Sequence, residues 1–411
     1  MERLSNVYEQ YCSVLEEELI PAMGCTEPIA IAYAAAKARA VLGARPERIV
    51  IQVSGNIIKN VKSVIVPHTG GLRGIAAAAT AGIIAGNEDK ELEVISDVTT
   101  EEIEQMHAYL KSATFEIHCA KSEYIFDIGI RLYQNGHESY VRITDAHTNI
   151  VRIEKDHQIL FEKEAATVAV VKGSDRSFIT VEGILNRQID YNMAISEEGL
   201  RNSYGANIGK VILNHCGDAI QSKAKAAAAA GSDARMNGCE MPVVINSGSG
   251  NQGMTASIPV IVYARETGIQ NEQLLRALVV SNLVTIHLKT GVGRLSAYCG
   301  AVSAGCGCGA GIAYLEGGKY KEVAHTIVNS LAIVSGMVCD GAKASCAAKI
   351  AASVDAGILG YYMYQDGQEF YDGDGLVIKG VENTICNFGK LASVGMCNTD
   401  KEIIKLMVGE E

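Results

Sequence analysis

The chain has no tryptophan and only 6 phenylalanines among its 411 residues. Glycine contributes 42 residues instead, so a core of helices packed closely through small side chains is expected. No basic run occurs, and 36 Lys and Arg stand against 47 Asp and Glu for a formal charge of −11. Phosphate contacts need clustered Lys and Arg, so nucleic acid is not an expected partner. No uninterrupted apolar stretch approaches the roughly 18 residues that cross a bilayer, so no membrane partner is expected. The charged start, MERLSNVYEQYCSVLEEELIPAMG, reads as an amphipathic helix and not as a signal peptide. A cytoplasmic location follows as the expectation. Hydrophobic residues at 48% and charged residues at 20% fit a soluble globular protein with a sizeable core.

Cysteine is plentiful, at 12 residues. Without a secretion signal a disulfide framework is not expected. In a reducing compartment so many thiols divide into small buried residues and a metal-binding or catalytic subset.

Along the chain, residues 5–19, 29–42 and 75–86 read as helices and RIVIQV, 48–53, as a strand. Near residue 90 the character changes. LEVISDV, TFEIHCA, YIFDIGIRLYQNG, HESYVRITDAH and NIVRIEKDHQILFE are rich in β-branched and aromatic residues that often alternate with polar ones. Asn135-Gly136 between two such runs is the strongest short hairpin signal. From about 183 onward the pattern is helical with glycine-rich breaks, including a helix over Ala226–Ala230 that ends at Gly231. The expected fold class is α+β: a mainly helical catalytic body, 1–87 plus 183–411, with a smaller inserted domain, 88–182, that contains an antiparallel sheet. No internal repeat is evident.

Four segments could carry chemistry. In GCTEP, Pro28 marks a helix start, Thr26 or Glu27 caps it, and Cys25 precedes the helix N-terminus, where positive partial charge favours a thiolate. In SGNIIKNVKSVIVPHTGG, Asn56, Lys59, Asn60 and His68 are polar among apolar neighbours, and His68 enters a glycine loop. NSGSGNQG, with Ser247, Gly248, Ser249, Gly250 and Asn251, lies between a strand-like and a helical run. Its backbone N–H groups suit an anion, either a phosphate or a substrate carboxylate. It is neither a GxxxxGK[ST] loop nor a GxGxxG. Finally, Cys299, Cys306 and Cys308 fall in one segment, and Cys339 and Cys346 in CDGAKASC. Three thiolates from two segments could hold a soft metal, although the spacing is that of neither a zinc ribbon nor a ferredoxin.

Taken together and in this order, GCTEP, PHTGG, NSGSGNQG and CDGAKASC resemble the L-cysteine desulfidase family, which is related to the α part of the iron–sulfur L-serine dehydratases. The resemblance implies a [4Fe–4S] cluster on three cysteines with one iron open. It also implies β-elimination of L-cysteine to pyruvate, ammonia and hydrogen sulfide. Cys339 and Cys346 match paired ligands, and Cys299 best matches the earlier ligand, with Cys306 and Cys308 in the same register. Cys25 matches the proton acceptor, with His68 as the alternative base, and Ser247–Asn251 matches the region expected to bind the substrate carboxylate.

A small amino acid is thus the expected partner, and small-residue helices fit a homodimer. L-serine dehydratase is the sibling reading. A non-catalytic metal or redox protein, closed by a fourth thiolate, is a reading of another class. A pyridoxal-phosphate enzyme with NSGSGNQG as its phosphate cup is a third, though no lysine motif stands out, only Lys59, Lys289 and Lys343 near motifs.

Overall fold

A computed structural model describes residues 2–163, 180–293 and 295–409. Contacts divide it into two units. The first comprises Met1–Pro21, Ile179–Cys339 and Lys343–Ile403, the second Ala22–Phe178, Asp340–Ala342 and Ile404–Glu411. This differs from the expected division, which kept residues up to 87 with the helical body. The reason lies in the sheet. The chain runs through α1 (Glu2–Glu18), a short β1 (Pro21–Met23) and α2 (Thr26–Leu42) into β2 (Arg48–Val53), and β2 is an interior strand of the second unit's sheet. The last part of the expected insert, 164–179, lies outside the described residues.

After β2 the second unit continues through α3 (Gly55–Val61), α4 (Gly74–Ala85), α5 (Thr100–Ser112), β3 (Thr114–Cys119), β4 (Asp127–Gln134), β5 (His137–Thr144), β6 (Ile150–Lys155) and β7 (Gln158–Glu162). The strands form one sheet in the order β3-β2-β4-β5-β6-β7. β2 pairs with β3 in parallel, and the remaining pairs are antiparallel, so the sheet is mixed. Alternation puts Ile49, Ile51 and Val53 on one face, opposite Leu132, Ile130 and Ile128 of β4, all fully buried. Helix α2 packs on β4 and β5 and against α4, with 13 of its 17 residues buried, so it has no polar face to read in the sequence. Asn135 and Gly136 both take positive φ, 49° and 80°, the two-residue turn that joins β4 to β5. LEVISDV is not a strand. Val94 and Ile95 are consecutive and both buried, which a pleated strand with one buried face cannot arrange.

The first unit is helical. It holds α6 (Val181–Arg201), α7 (Ile208–His215), α8 (Ile220–Met236), a short β8 (Pro242–Val244), α9 (Gly250–Thr267), α10 (Asn271–Val292), α11 (Gly300–Leu315), α12 (Tyr320–Ile333), α13 (Cys346–Gln365) and α14 (Val381–Lys390); α15 (Cys397–Val408) closes the chain. At its centre lies α11, surrounded by α9, α10, α12 and α13, with 14 of its 16 residues buried. Its glycines make that possible. A Cβ at Gly305 would sit 2.3 Å from the Ser353 carbonyl oxygen, and one at Gly309 2.5 Å from that of Gly357, so one stripe of α11 lies directly on the α13 backbone. Gly307 and Gly311 form a second stripe against Thr285 and Ser281 of α10. Backbones this close leave no room for aromatic rings, which accounts for the composition. Helix α8 does not end at Gly231 but continues to Met236, because Gly231 lets Met254 of α9 approach to 2.8 Å from where its Cβ would be.

Between α7 and α8, Asp233 is buried and accepts the Gly209 N–H at 3.0 Å through Oδ2. Burial pushes its carboxyl up from 3.8 to about 6, against the pull of the Gly209 and Ile208 N–H groups and Lys210. The folded chain therefore keeps a proton that the unfolded chain releases. That contribution to stability is full below pH 3.8 and lost as pH rises through about 6. Asp233→Asn, always neutral, should exceed the wild type in stability by roughly 1–2 kcal/mol at pH 8. The gain should shrink to little at pH 4. A Tm difference between the two proteins that stays flat over this range would remove the assignment.

Among the described residues, no helix is long and apolar enough to cross a membrane.

Candidate functional site

Three cysteines converge in the first unit. Cys299 is the N-cap of α11 and Cys346 the first residue of α13, while Cys339 lies in the segment between α12 and α13. An antiparallel bridge between Tyr298 and Val338 joins the two segments. Around it the Cys299 N–H donates to the Met337 carbonyl at 3.1 Å and the Cys339 N–H to the Ala297 carbonyl at 2.6 Å. The nearby Cys339 thiol, then burial, then the charges that Cys339 and Cys346 would carry hold Cys299 well above the usual thiol range. Burial likewise raises Cys346, as does the charge of Cys339, while the Lys343 backbone, Lys343 and Lys349 pull the other way. Thiols 40 and 7 positions apart in sequence thus act on one another as neighbours.

Cys306 and Cys308 sit differently. Both are buried inside α11. Cys306 belongs to the apolar cluster of Tyr298, Val302, Ile327 and Leu331, and burial pushes its thiol up to about 12. Cys308 donates its thiol proton to the Gly305 carbonyl at 3.1 Å, a bond within its own helix, and burial raises it further.

The same unit holds the NSGSGNQG loop. Asn246 and Ser249 exchange backbone hydrogen bonds at 3.1 and 3.0 Å around Ser247 and Gly248, whose φ values of 50° and 78° make the tight turn. Ser247 donates its hydroxyl to Asn246 Oδ1 at 2.9 Å, and Asn246 donates in turn to Asn282 Oδ1 on α10 at 3.0 Å. The loop is thereby fixed before α9 begins at Gly250. Its N-cap, Ser249, makes no side-chain cap, so the first turn of α9 keeps its positive end.

Cys25 and His68 lie in the second unit. Gly24, at φ 53°, has no room for a Cβ, which would stand 2.8 Å from Pro67, so GCTEP and PHTGG abut. Cys25 is itself the N-cap of α2. Neither Thr26 nor Glu27 caps the helix, contrary to expectation, because both lie already inside its first turn. Their polar atoms turn to each other. Buried Glu27 accepts the Cys25 thiol and the Thr26 hydroxyl at Oε2, both at 3.1 Å, and the Asn60 amide at Oε1 at 3.0 Å. Asn56, Lys59 and Asn60 of α3 are all buried. His68 is half-buried and takes a left-handed φ of 56°, rare for a residue with a side chain. The partnership of Glu27 with Cys25 is the feature of this site that the sequence did not reveal. Its position two residues after Cys25 was visible, but a polar residue at a helix start was read as a cap and not as a thiol partner.

Among the described residues, no set of three His, Cys, Asp or Glu is arranged to hold a metal ion. The donor chemistry of Cys299, Cys339 and Cys346 nonetheless fits a soft metal or an iron–sulfur cluster: three thiols that act on one another, with raised proton affinities at Cys299 and Cys346 that a thiophilic metal would overcome by displacing the protons.

The sequence profile of the serine dehydratase alpha chain family matches residues 89–405. A UPF0597 protein of Desulfitobacterium hafniense is 57% identical over 100% of this chain and 99% of its own length. UPF0597 proteins of Treponema denticola, 47% identical over 98% of both chains, and Fusobacterium nucleatum, 42% identical over 97% of this chain and 98% of its own, are similar along their full length. With the thiol trio, the α9 turn and α11 all inside the matched span, the chain belongs to the serine dehydratase alpha chain family.

Proposed function

We propose that the protein is a lyase that eliminates sulfide from L-cysteine, with Cys299, Cys339 and Cys346 as the ligands of a [4Fe–4S] cluster. The observation that carries this reading is the mutual influence of those three thiols in a chain of a dehydratase family. When bound, such a cluster supplies an iron with an open coordination position, a Lewis acid toward the departing sulfur. A fourth protein thiolate would fill that position; the burial of Cys306 and Cys308 inside α11 supports a reading in which neither is a ligand.

The chain's own residues supply the rest. The first turn of α9, positive and uncapped by Ser249, receives the substrate carboxylate. Cys25 is the base in this reading: its own proton passes to Glu27 along the 3.1 Å contact and leaves a thiolate. His68 is the second candidate for that role. The C–S bond breaks as the Cα–Cβ double bond forms, sulfur leaves as hydrosulfide, and the aminoacrylate tautomerises to an imine that water hydrolyses to pyruvate and ammonia.

L-serine dehydratase by the same chemistry is the second reading, favoured by the family's description. Anaerobic reconstitution with iron and sulfide, followed by parallel assays of sulfide from L-cysteine and pyruvate from L-serine, tests both. The expected result is a cluster of four irons per chain and a higher kcat/KM for L-cysteine. A preference for L-serine would transfer the reading to dehydration. Stoichiometric zinc with no acid-labile sulfide would end both.

A further inference from the structure

Arg235 stands in the last turn of α8, 3% exposed. A guanidinium is always charged, and a buried charge is costly unless an opposite charge meets it. Among the described residues, no carboxylate forms an ion pair with Arg235. Its Nη1 donates to the neutral side chain of Asn251 at 3.2 Å, and its buried Nε has no hydrogen-bond partner. The group lies flat on the start of α9: a Cβ on Gly250 would come within 2.4 Å of Nε and 2.7 Å of Cζ. Two sources of positive potential, the guanidinium and the first turn of α9, therefore meet at one point.

Gln252, in the same turn, shows the opposite deficiency. It is 5% exposed, and its Oε1 is a buried acceptor with no donor among the described residues. Its carboxamide packs on Gly300, where a Cβ would fall 2.7 Å from Cδ. Gly300 directly follows Cys299 and opens α11. The last turn of α8 and the first turn of α9 thus present an unmatched cation and an unmatched acceptor, the latter against the residue that follows Cys299, all within one unit.

We propose that Arg235 and Gln252 form the recognition site for the α-amino acid zwitterion, with the carboxylate on Arg235 and the α9 turn and the α-ammonium donating to Gln252 Oε1. The inference deepens the functional reading above and rests on it for the identity of the reacting amino acid. It adds the two side chains that would select zwitterionic amino acids over amines and simple acids.

The site is testable apart from turnover. L-alanine, which has no leaving group, should raise the Tm of the full-length protein without cluster, and ethylamine and propionate should not. Arg235→Gln should lose the L-alanine shift, and in reconstituted enzyme its KM for L-cysteine should rise about 10–100-fold, the usual effect of removing a charged hydrogen-bond partner. Gly250→Ala keeps the charge but drives a methyl into the guanidinium, so it should weaken L-alanine binding too and serves if Arg235→Gln does not fold. L-alanine binding unchanged in both variants overturns the site even if cysteine is turned over. An Arg235-dependent L-alanine shift in a protein that eliminates nothing keeps the site and discards the reaction.

Discussion

Cys339→Ser protein, reconstituted anaerobically, is expected to hold no stable iron–sulfur cluster and to release no measurable sulfide from L-cysteine, while Cys306→Ala and Cys308→Ala retain both. Cys339 is fixed by its N–H to Ala297, and its thiol is the strongest influence on Cys299. Serine is nearly isosteric and keeps that backbone bond, but an alkoxide is a hard and strongly basic donor where a soft one is needed. Cys299→Ser and Cys346→Ser should behave alike. Alanine at 306 or 308 removes only a buried sulfur and should cost about 1 kcal/mol of stability through the small cavity left. Iron and acid-labile sulfide counts beside Tm separate the two outcomes. A Cys339→Ser protein with full iron content, or a Cys306→Ala protein without iron, would place the ligands elsewhere.

The second large effect concerns the Cys25–Glu27 pair. Cys25→Ala should keep the cluster's iron and colour and lower kcat about 10³-fold, within the range for removal of a general base. Bleaching instead would make Cys25 a ligand and end its assigned role. Glu27→Gln is the finer test. Glu27 accepts donors at both oxygens, Cys25 and Thr26 at one and Asn60 at the other. An amide can accept on one side only, so a donor is left facing a donor in a buried place, at a cost of about 1–3 kcal/mol. With no carboxylate to take the thiol proton, half-maximal turnover should move to higher pH, with KM little changed. A merely structural Glu27 would lower Tm and leave the pH profile where it was.

Much of the architecture was legible because local rules acted unopposed. RIVIQV alternates and is a strand, and Asn135-Gly136 turns a hairpin because both positions need positive φ. Helices such as α1 and α4 begin and end within a few residues of expectation. LEVISDV misled because its apolar residues are buried consecutively in a turn, and Gly231 because a glycine that admits a neighbouring side chain looks the same in sequence as one that stops a helix. The division of the chain was missed at β2, whose six residues carry no sign that their partners lie more than 60 positions further on.

The sequence by itself determined that this is an acidic α+β protein poor in large aromatics, with glycine-rich helices and cysteines clustered in two distant segments, since composition and short-range pattern depend only on neighbours in the chain. Which thiols meet was decided by the tertiary structure. The Tyr298–Val338 bridge brings Cys339 to Cys299, while the packing of α11 on α10 and α13 encloses Cys306 and Cys308. The same holds for Glu27 beneath Cys25 and Arg235 against Gly250. A side chain's partner, unlike its helix or strand, is set by contacts across the fold, and those form only when the core closes.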